Sequence, residues 1–515
     1  MNGWELKIHL RKGDKMNNKV KRFFSYLSPK NFNQEIHRYN ADISNTQFLK
    51  FLLVSYVGLI IFMIIFKLKI PYMAIILLVI TLFLPSIFLL NLKTNYEIKR
   101  FESVNSYLEQ LLYSFRRKPK VLTALQDTAL LFQEDENTEL RAAIEQAIEH
   151  IQNPDGNGDV YEEAFAIIEK DFGCKRMRKI HSFLRQVENA GGNIEESAEI
   201  LLLDRNLWVD RITGLIMDKK KVNVNVTIAI GLSFVITAIS LYMIPESFGI
   251  VNSVPSQIST MVVFLLNGLI WYIVQRALSG SLLDADRDTP FEDLKRAYDI
   301  VMHDGITKKK KTFLIAGLMV VAAGGLLTFL TNPMIGLPIA AFGIILATQP
   351  KRIYKKSKKK LRKEVQKSFP DWLLGVSLQL QNDNVHVSIM KSIPSAPELL
   401  QEELINLQDN LEKHPDTLDP YLQFFKPLQI SEVASAMKML YGLSAFGSED
   451  SQEQIKALVN RNTVIMDHAE KLRMEDELAG VTFAMLAPMI TGTVKMVVDL
   501  GLVMTYVLST VQYLG

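Results

Sequence analysis

The sequence predicts an all-α, polytopic membrane protein with two repeated cytoplasmic helical-bundle domains and about seven or eight transmembrane helices. Three observations carry this prediction: long apolar blocks, helical periodicity in the polar regions, and an internal repeat. Of the 515 residues, 48% are hydrophobic. They are concentrated in blocks that approach the roughly 20 residues needed by a membrane-crossing helix.

These apolar blocks come in closely spaced pairs. Buried helices of soluble proteins rarely stay this apolar over such lengths, so we interpret the blocks as transmembrane spans. The first six are Phe51–Phe66, Tyr72–Leu92, Val224–Ile244, Met261–Ile273, Phe313–Leu330 and Met334–Thr348. Gly480–Val498 is the seventh, and the shorter Leu500–Leu514 is a candidate eighth.

The distribution of basic residues predicts the orientation of these spans. Basic clusters lie beside the third, fifth and sixth spans at Lys219–Lys221, Lys308–Lys311 and Lys351–Lys363. The loops at 245–260 and 331–333 contain no Lys or Arg. By the positive-inside rule, the basic flanks and both termini are cytoplasmic, as expected of a multi-pass protein of the cell membrane. Lys67 and Lys69 depart from this pattern, and we expect their side chains to reach the membrane surface.

The spans divide the chain into alternating membrane and cytoplasmic segments. These are a basic N-terminal segment at 1–50, hairpins at 51–92, 224–277, 312–349 and 480–515, helical domains at 93–223 and 350–479, and a linker at 278–311. In the first domain, Val104, Leu108 and Leu111 recur at helical spacing. No long stretch alternates apolar with polar residues, so the polar domains are predicted to be helical.

An internal repeat connects the two domains. "FLRQVENAGGNIEESAEILLLDRN" ends at Asn206 and aligns without a gap, at an offset of 256 residues, with "MLYGLSAFGSEDSQEQIKALVNRN", which ends at Asn462. Pairs that match are Gly191 with Gly447, Arg205 with Arg461, and Asn206 with Asn462; Asp204 faces Asn460 instead. The same offset places Val224 on Gly480, the start of one span on the start of another. Since each copy has an even number of crossings, the repeat is predicted to be parallel.

The glycine pair within this repeat raises the question of a phosphate-binding loop. No P-loop or dinucleotide-binding pattern occurs in the chain, and the pair follows a predicted helix, not a strand. We therefore interpret Gly191, Gly192 and Asn193, with Gly447 in the second copy, as a structural helix corner. A glycine ends one helix there, and Asn193 caps the next with Glu196 as its capping-box partner.

The helix after each corner is interpreted as a stem that carries its domain toward the membrane. Its marker residues are Asp204, Arg205 and Asn206 in the first copy, and Arg461 and Asn462 in the second. Asp204, Arg205 and Arg211 have two interpretations, contact with a partner or ion pairs within the helix; we favour ion pairs within the helix.

Catalytic and metal-binding patterns do not occur in the sequence. There is one cysteine, Cys174, which excludes an intramolecular disulfide and a cysteine-based zinc site. The His-Glu-x-x-His and Gly-x-Ser-x-Gly motifs are also missing. We predict that the protein is not an enzyme and needs no cofactor or metal, and no feature indicates a nucleic-acid partner.

Lys495 and Asp499 are the exception to the apolar character of the spans. They are four residues apart at the end of the seventh span. One interpretation is an interfacial turn between the seventh and eighth spans; the other is a polar contact with a membrane-embedded partner, because ionisable residues within a membrane often mark function.

The segment "VENAGGNIEESAEILLLDRNLW" resembles the F-domain signature of the inner-membrane platform proteins of type II secretion and type IV pilus machines. The hairpins on both sides of each domain resemble the Tad-type pilus platform pair, or the archaellum platform protein, more than the three-span type II protein. The chain resembles both halves of the Tad pair joined end to end. The resemblance covers about Phe101–Ile273 and Lys363–Leu514. The second copy departs from it at Ser448, which replaces the second glycine.

The resemblance implies a platform that couples a cytoplasmic hexameric ATPase to the assembly of pilin or pseudopilin subunits. It also implies a homo-oligomer. Lys308, Lys309, Lys310, Lys311, Lys355 and Lys356 are candidate contacts with anionic membrane lipids or with the ATPase. The main alternative is a multi-pass secondary transporter or channel with parallel repeats. A membrane enzyme is a further alternative, for which no catalytic constellation is present.

Overall fold

The computed structural model describes residues 36, 39, 45–132, 138–154, 158–191, 194–283, 290–303, 307–330, 333–381, 383–445 and 451–514. Every regular element among these residues is helical, and they contain no strand. The all-α prediction is therefore confirmed for the part of the chain that the structure describes. The physical reason lies in the apolar blocks and helical stripes of the sequence, because neither pattern has the period of two that strands need.

The described residues divide into two compact units, each built from separated parts of the chain. Unit one takes its residues from Met1–Val104, Ile212–Ala285 and Asp476–Gly515. Unit two takes its residues from Asn105–Arg211 and Asp286–Glu475. Three helices contribute one part to each unit: α2 (Ile70–Arg117), α7 (Ile194–Met243) and α16 (Ser451–Phe483).

Unit one contains the most apolar helices. They are α1 (Asn45–Ile65), the first part of α2, the second part of α7, α8 (Val254–Leu278) and α17 (Ala487–Leu514). Its core includes a cluster of edge-packed and tilted rings: Phe62 of α1, Phe66 just beyond the end of α1, Phe234 of α7 and Phe264 of α8. Aromatic rings in this arrangement add to the stabilisation that their buried area provides.

Among the residues that the structure describes, four helices are long and apolar enough to cross a membrane: α2, α7, α8 and α17. The apolar stretches at Leu49–Ile65 and Phe313–Leu326 are shorter. Many large apolar side chains on these helices are exposed, among them Val54, Ile228 and Val497. Exposed apolar faces of this extent are typical of proteins in contact with lipid. These helices support the prediction that the chain is a membrane protein.

Helix α17 differs from the prediction of two spans separated near Asp499. The preceding helix, α16 (Ser451–Phe483), includes the first residues of the predicted seventh span, and α17 then runs without interruption from Ala487 to Leu514. The charge of Asp499 does not interrupt the helix, because Lys495 lies one turn earlier and pairs with it. The break falls instead before Pro488, a residue that is well accommodated in the first turn of a helix.

The two basic residues that depart from the positive-inside pattern are held at one end of unit one. Lys67 pairs with Glu246 in the connection between α7 and α8, with 2.7 Å between the amine and the carboxylate. The Lys69 amine donates to the carbonyl of Asn252, at 2.8 Å. Protein groups therefore bind both amines, and the reach of these side chains to the membrane surface stays a prediction.

Unit two combines the remaining parts of α2 and α7 with short amphipathic helices and with longer helices, one of which is mostly apolar. Its helices before residue 200 are α3 (Val121–Leu131), α4 (Thr138–Gln152), α5 (Val160–Phe172) and α6 (Lys175–Ala190). Those after residue 285 are α9 (Phe291–Met302), α10 (Thr307–Leu330), α11 (Pro333–Gln379), α12 (Val385–Ser392), α13 (Glu398–Lys413), α14 (Asp419–Gln423), α15 (Ser431–Ala445) and α16. Side-chain caps begin three of them: Asp159 accepts from the backbone of α5, the Cys174 sulfur from that of α6, and Asn384 from that of α12.

Helices α10 and α11 approach each other closely along glycines. A Cβ atom added at Gly317 would lie 2.6 Å from the backbone nitrogen of Ala347, and one at Gly343 would lie 2.6 Å from that of Val321. A Cβ at Gly324 would clash in the same way with the backbone of Ala340. Small residues of this kind allow two apolar helices to pack backbone against backbone.

Candidate functional site

The predicted helix corner is only partly described by the structure. Gly191 follows α6 directly, with φ +71° and ψ −171°, and its N–H donates to the carbonyl of Val187 at 2.9 Å. This backbone region is open almost only to glycine. Gly192, Asn193 and Gly447 lie outside the described residues, so the corner as a whole stays a prediction.

The predicted stem residues pack against the long helix at the centre of each half. The Arg205 guanidinium donates to Glu109 of α2 at 2.6 Å and to the side-chain carbonyl of Asn206 at 2.9 Å. In the second half, the Asn462 amide donates to the backbone carbonyl of Pro370 on α11 at 3.2 Å. Arg461 is half-buried. Each stem is therefore joined to a long helix, α2 in the first half and α11 in the second, by a side-chain hydrogen bond.

Sequence reasoning missed a group of charged residues at the centre of unit two. We call it the buried ionic cluster and define it as Lys175, Arg176, Lys179, Asp204, Arg211, Asp371, Glu470 and Arg473. Its members come from α6 and α7 in one half of the sequence and from α11 and α16 in the other. The structure brings Asp204 into this group, whereas Arg205 forms its ion pair outside it.

Arg176 lies at the middle of the buried ionic cluster and is 2% exposed. Its guanidinium is 2.7 Å from a Glu470 carboxylate oxygen and 3.5 Å from one of Asp204. The indole ring of Trp208 lies beneath it, with the ring centroid 5.9 Å from the guanidinium carbon. Arginine suits such a place because its planar guanidinium both pairs with carboxylates and stacks on aromatic faces.

Two carboxylates hold the basic side chains together. Asp371 is 2.6 Å from the Lys175 amine, 2.9 Å from the Arg473 guanidinium and 3.4 Å from the Lys179 amine. Burial alone would raise the pKa of Asp371, but the surrounding positive charges outweigh burial and hold this pKa well below its usual range.

Glu470 pairs with Arg176, Arg211 and Arg473. Burial opposes its ionisation as well, and the three guanidinium groups nevertheless lower its pKa. The interpretation of Asp204, Arg205 and Arg211 as members of ion pairs within their own helix is therefore wrong, because their partners lie on α6, α2 and α16 respectively. With five basic and three acidic members, the buried ionic cluster keeps an excess of positive charge.

An open cavity of about 310 Å³ adjoins one side of this cluster. One wall is a face of α6 that carries Lys175, Arg178 and Lys179. The opposite wall is a face of α11 that includes Asp371 and Gly375. We call this cavity the α6–α11 cleft.

A separate buried histidine lies among the helices before residue 200. His181 is stacked on Phe165, and its ring nitrogens lie 2.9 Å from the Tyr107 hydroxyl and 2.7 Å from a Glu169 carboxylate oxygen. Burial lowers the pKa of His181, although the contact with Glu169 opposes this shift. The ring is therefore held in its neutral form as a packed core residue.

In unit one, Lys495 and Asp499 are both about 1% exposed. They pair with each other, and both contact Ser256 of α8, which lies 3.2 Å from the lysine amine and 3.4 Å from an aspartate oxygen. Ser240 of α7 donates to Asp499 as well. We call these four residues the membrane polar cluster. Its side chains are satisfied within the chain, since α7, α8 and α17 all contribute to it.

A second polar contact lies two turns earlier along α17. Thr491, Ser233 and Asn267 form a triangle of hydrogen bonds, each 3.0 Å long, that joins α17, α7 and α8. A Cβ at the neighbouring Gly492 would lie 2.8 Å from the backbone carbonyl of Ser233. The three helices are thus joined along one polar face, and close backbone contact accompanies it.

The predicted lysine contacts lie on the helices α10 and α11. Lys355 and Lys356 are exposed on α11. Lys308–Lys311 belong to the start of α10, and their side chains lie outside the described residues. Among the described residues, no group of three or more His, Cys, Asp and Glu is placed to hold a metal ion.

Comparison with protein-family models, with curated proteins and with solved structures gave no match.

Proposed function

We propose that this chain is the inner-membrane platform of a type IV pilus, Tad-like or type II secretion machine. In this role it couples a cytoplasmic hexameric ATPase to the assembly of pilin or pseudopilin subunits. The observation that carries the proposal is α7, a single helix of 50 residues that begins in polar unit two and continues into an apolar candidate span. A rigid helix of this kind suits the transfer of movement from a soluble domain to a membrane.

The arrangement of the other long helices supports the same proposal. α2 has 48 residues and α11 has 47, and each joins an apolar first part to a polar second part. We propose that they are equivalent members of two parallel repeats, in which α7 corresponds to α16 together with α17. The proposed count of seven or eight spans would include α1, α10 and the apolar part of α11.

The proposed surroundings of this platform follow from its charges. Exposed Lys355 and Lys356 lie on α11 just beyond its apolar part. They are positioned to contact anionic lipid headgroups or an acidic surface of the ATPase. We further propose that the protein has both termini in the cytoplasm, forms a homo-oligomer and performs no catalysis itself.

Deletion of the gene, combined with co-purification, tests the platform function. Filaments should be lost while the ATPase and pilin remain at normal levels, and the detergent-solubilised protein should retain the ATPase from the same genome. Replacement of both Lys355 and Lys356 by Glu should reduce ATPase retention if these residues form the docking surface. Normal filament assembly in the deletion strain would refute the proposal.

A secondary transporter or channel with parallel repeats is the second candidate. The membrane polar cluster favours it, because ionisable residues buried in spans often belong to ion paths. Transport predicts that Asp499→Asn abolishes a proton or ion flux in proteoliposomes while filaments remain. The platform function predicts no such flux in the wild-type protein.

A further inference from the structure

The α6–α11 cleft has features of a ligand site that the platform function does not use. Its volume of about 310 Å³ is within the range of small-molecule pockets, roughly 300–1,000 Å³. All its lining residues belong to unit two. The inference drawn from it is tested by ligand binding to the purified protein, so it can fail or succeed separately from the proposed function.

One wall of the cleft is positively charged. Lys175, Arg178 and Lys179 follow one another at helical spacing on α6, and Arg178 is exposed. The acidic side chain among the lining residues is Asp371, which already pairs with both lysines and with Arg473. A wall with this excess of positive charge favours the binding of an anion.

Hydroxyl and apolar groups complete the lining. Ser182 supplies an exposed hydroxyl group, whereas the hydroxyls of Ser392 and Ser395 donate to backbone carbonyls. Phe183, Val187 and Leu378 supply apolar surface. Gly375 leaves the middle of the α11 wall open, because a Cβ added there would find no atom within 4 Å. The cleft therefore offers polar groups for a charged head and apolar surface for a short body.

We propose that the α6–α11 cleft binds a small organic anion, with a phosphate head against the basic face of α6 and a short apolar body beside Phe183 and Leu378. Arg178 would contact the phosphate directly, since arginine matches phosphate oxygens in a bidentate fashion. The lysines would contribute charge while they remain paired with Asp371.

A free anion fits the cleft better than a lipid headgroup. Asp371 lies 23 residues beyond Thr348 on the same helix, α11, which corresponds to about 35 Å along a helix axis. If the apolar part of α11 lies in the membrane, the cleft is too far from the surface for a headgroup to enter. The proposal is therefore restricted to soluble ligands.

Calorimetric titration of the full-length protein with phenyl phosphate tests the site. We expect saturable binding, and we expect glycerol phosphate and benzyl alcohol to bind at least about tenfold more weakly. Glycerol phosphate represents a lipid headgroup, and benzyl alcohol lacks the charge. The proposal would be overturned if glycerol phosphate or benzyl alcohol bound as tightly as phenyl phosphate, or if phenyl phosphate showed no saturable binding.

Two glycines offer a matched pair of variants. Gly375→Leu should fill the cleft and weaken phenyl phosphate binding by about tenfold or more. Gly442→Leu is the control, because Gly442 is also helical and open on its Cβ side but does not line the cleft. Arg178→Ala should weaken binding, and Arg178→Lys should retain most of it. Wild-type affinity in both Gly375→Leu and Arg178→Ala would place the ligand elsewhere and refute the site.

Discussion

Glu470 depends on residues that are distant in sequence. It contacts Arg176 and Arg211 from the first half of the chain and Arg473 from its own helix. A carboxylate that neutralises several buried guanidinium groups cannot be removed without leaving positive charge uncompensated. This makes Glu470 the residue on which the buried ionic cluster most directly depends.

Glu470→Gln should therefore destabilise the protein by about 3–5 kcal/mol, the usual effect of removing one partner of a buried ion pair. Thermal unfolding of the detergent-solubilised protein measures this effect as a lower midpoint. Glu475→Gln is the matched control, since Glu475 is exposed on the same helix. Equal midpoints for both variants would show that the ionic cluster does not hold unit two together.

His181 gives the stability of the protein a dependence on pH. Burial lowers its pKa in the folded state, so the unfolded state takes up a proton first as the pH falls below about 6.5. Stability should be fully retained above about pH 6.5. It should decrease from that pH down to the lower pKa of the folded state. This decline should be visible in thermal midpoints measured from pH 8 to pH 5, a range of about three units around the ordinary pKa of histidine.

His181→Asn should flatten this profile, because asparagine does not titrate. His303→Asn is the control and should keep the wild-type profile, since His303 is exposed. If the His181 variant lost stability on acidification as steeply as the wild type, another group would be responsible. Asp371 and Glu470 of the ionic cluster have lowered pKa values, so their effect begins only as the pH falls below about 4.

At the scale of elements, adjacent glycines on α10 have opposite surroundings. A Cβ at Gly324 would clash with the backbone of Ala340 on α11, whereas one at Gly325 would meet no atom within 4 Å. The face of α10 that carries Gly324 therefore packs against α11, and the face that carries Gly325 does not. The sequence "AAGGLL" shows both glycines but not which of them faces the neighbouring helix.

Gly324→Leu should accordingly separate the two helices and destabilise the protein by about 1–3 kcal/mol or more. Gly325→Leu should be neutral within about 0.5 kcal/mol. Protease sensitivity and the thermal midpoint of the purified variants distinguish these outcomes. A larger effect of the Gly325 variant would contradict the packing described for this hairpin.

The membrane polar cluster joins α17 to α7 and α8. Asp499→Leu should cost about 3–5 kcal/mol, because it leaves the amine of Lys495 buried without its carboxylate. The double variant Lys495→Leu with Asp499→Leu should recover much of this loss, since an apolar pair removes both charges together. The thermal midpoint in lipid nanodiscs provides the measurement.

Thr505→Leu serves as the control for this series, because Thr505 is exposed on the same helix. It should leave the midpoint unchanged. If the double variant were less stable than Asp499→Leu alone, the two residues would not act as a mutually compensating pair.

At the scale of the whole molecule, α7 is the element on which the proposed function depends. The connection between α6 and α7 begins at Gly191, whose backbone conformation other residues rarely adopt. A strained or altered connection should change the direction of α7 without affecting the apolar part that inserts into the membrane.

Gly191→Val should therefore abolish filament assembly while the amount of protein in the membrane stays normal. A valine in the backbone conformation of Gly191 would be strained by about 1–3 kcal/mol. Membrane fractionation and electron microscopy of the cells measure the two effects. Gly442→Val is the control, since Gly442 has open space and no positive φ. Normal filaments in the Gly191 variant would identify the corner as an ordinary loop.

The amino-acid sequence by itself determined the all-helical character and the most apolar helices. Both follow from local patterns, because hydropathy and helical periodicity depend on residues within a few turns of one another. The same patterns located α2, α7, α8 and α17 near their observed positions. The boundary between the last two helices was less well predicted, since the break falls before Pro488 and not near Asp499.

Only the tertiary structure decided which charged faces meet. Arg176 and Glu470 are separated by almost 300 residues, and Lys495 and Asp499 find their serine partners on α7 and α8. No local pattern contains such pairs, since they depend on which helix faces pack together. Desolvation of the packed faces then makes each buried charge depend on its partner.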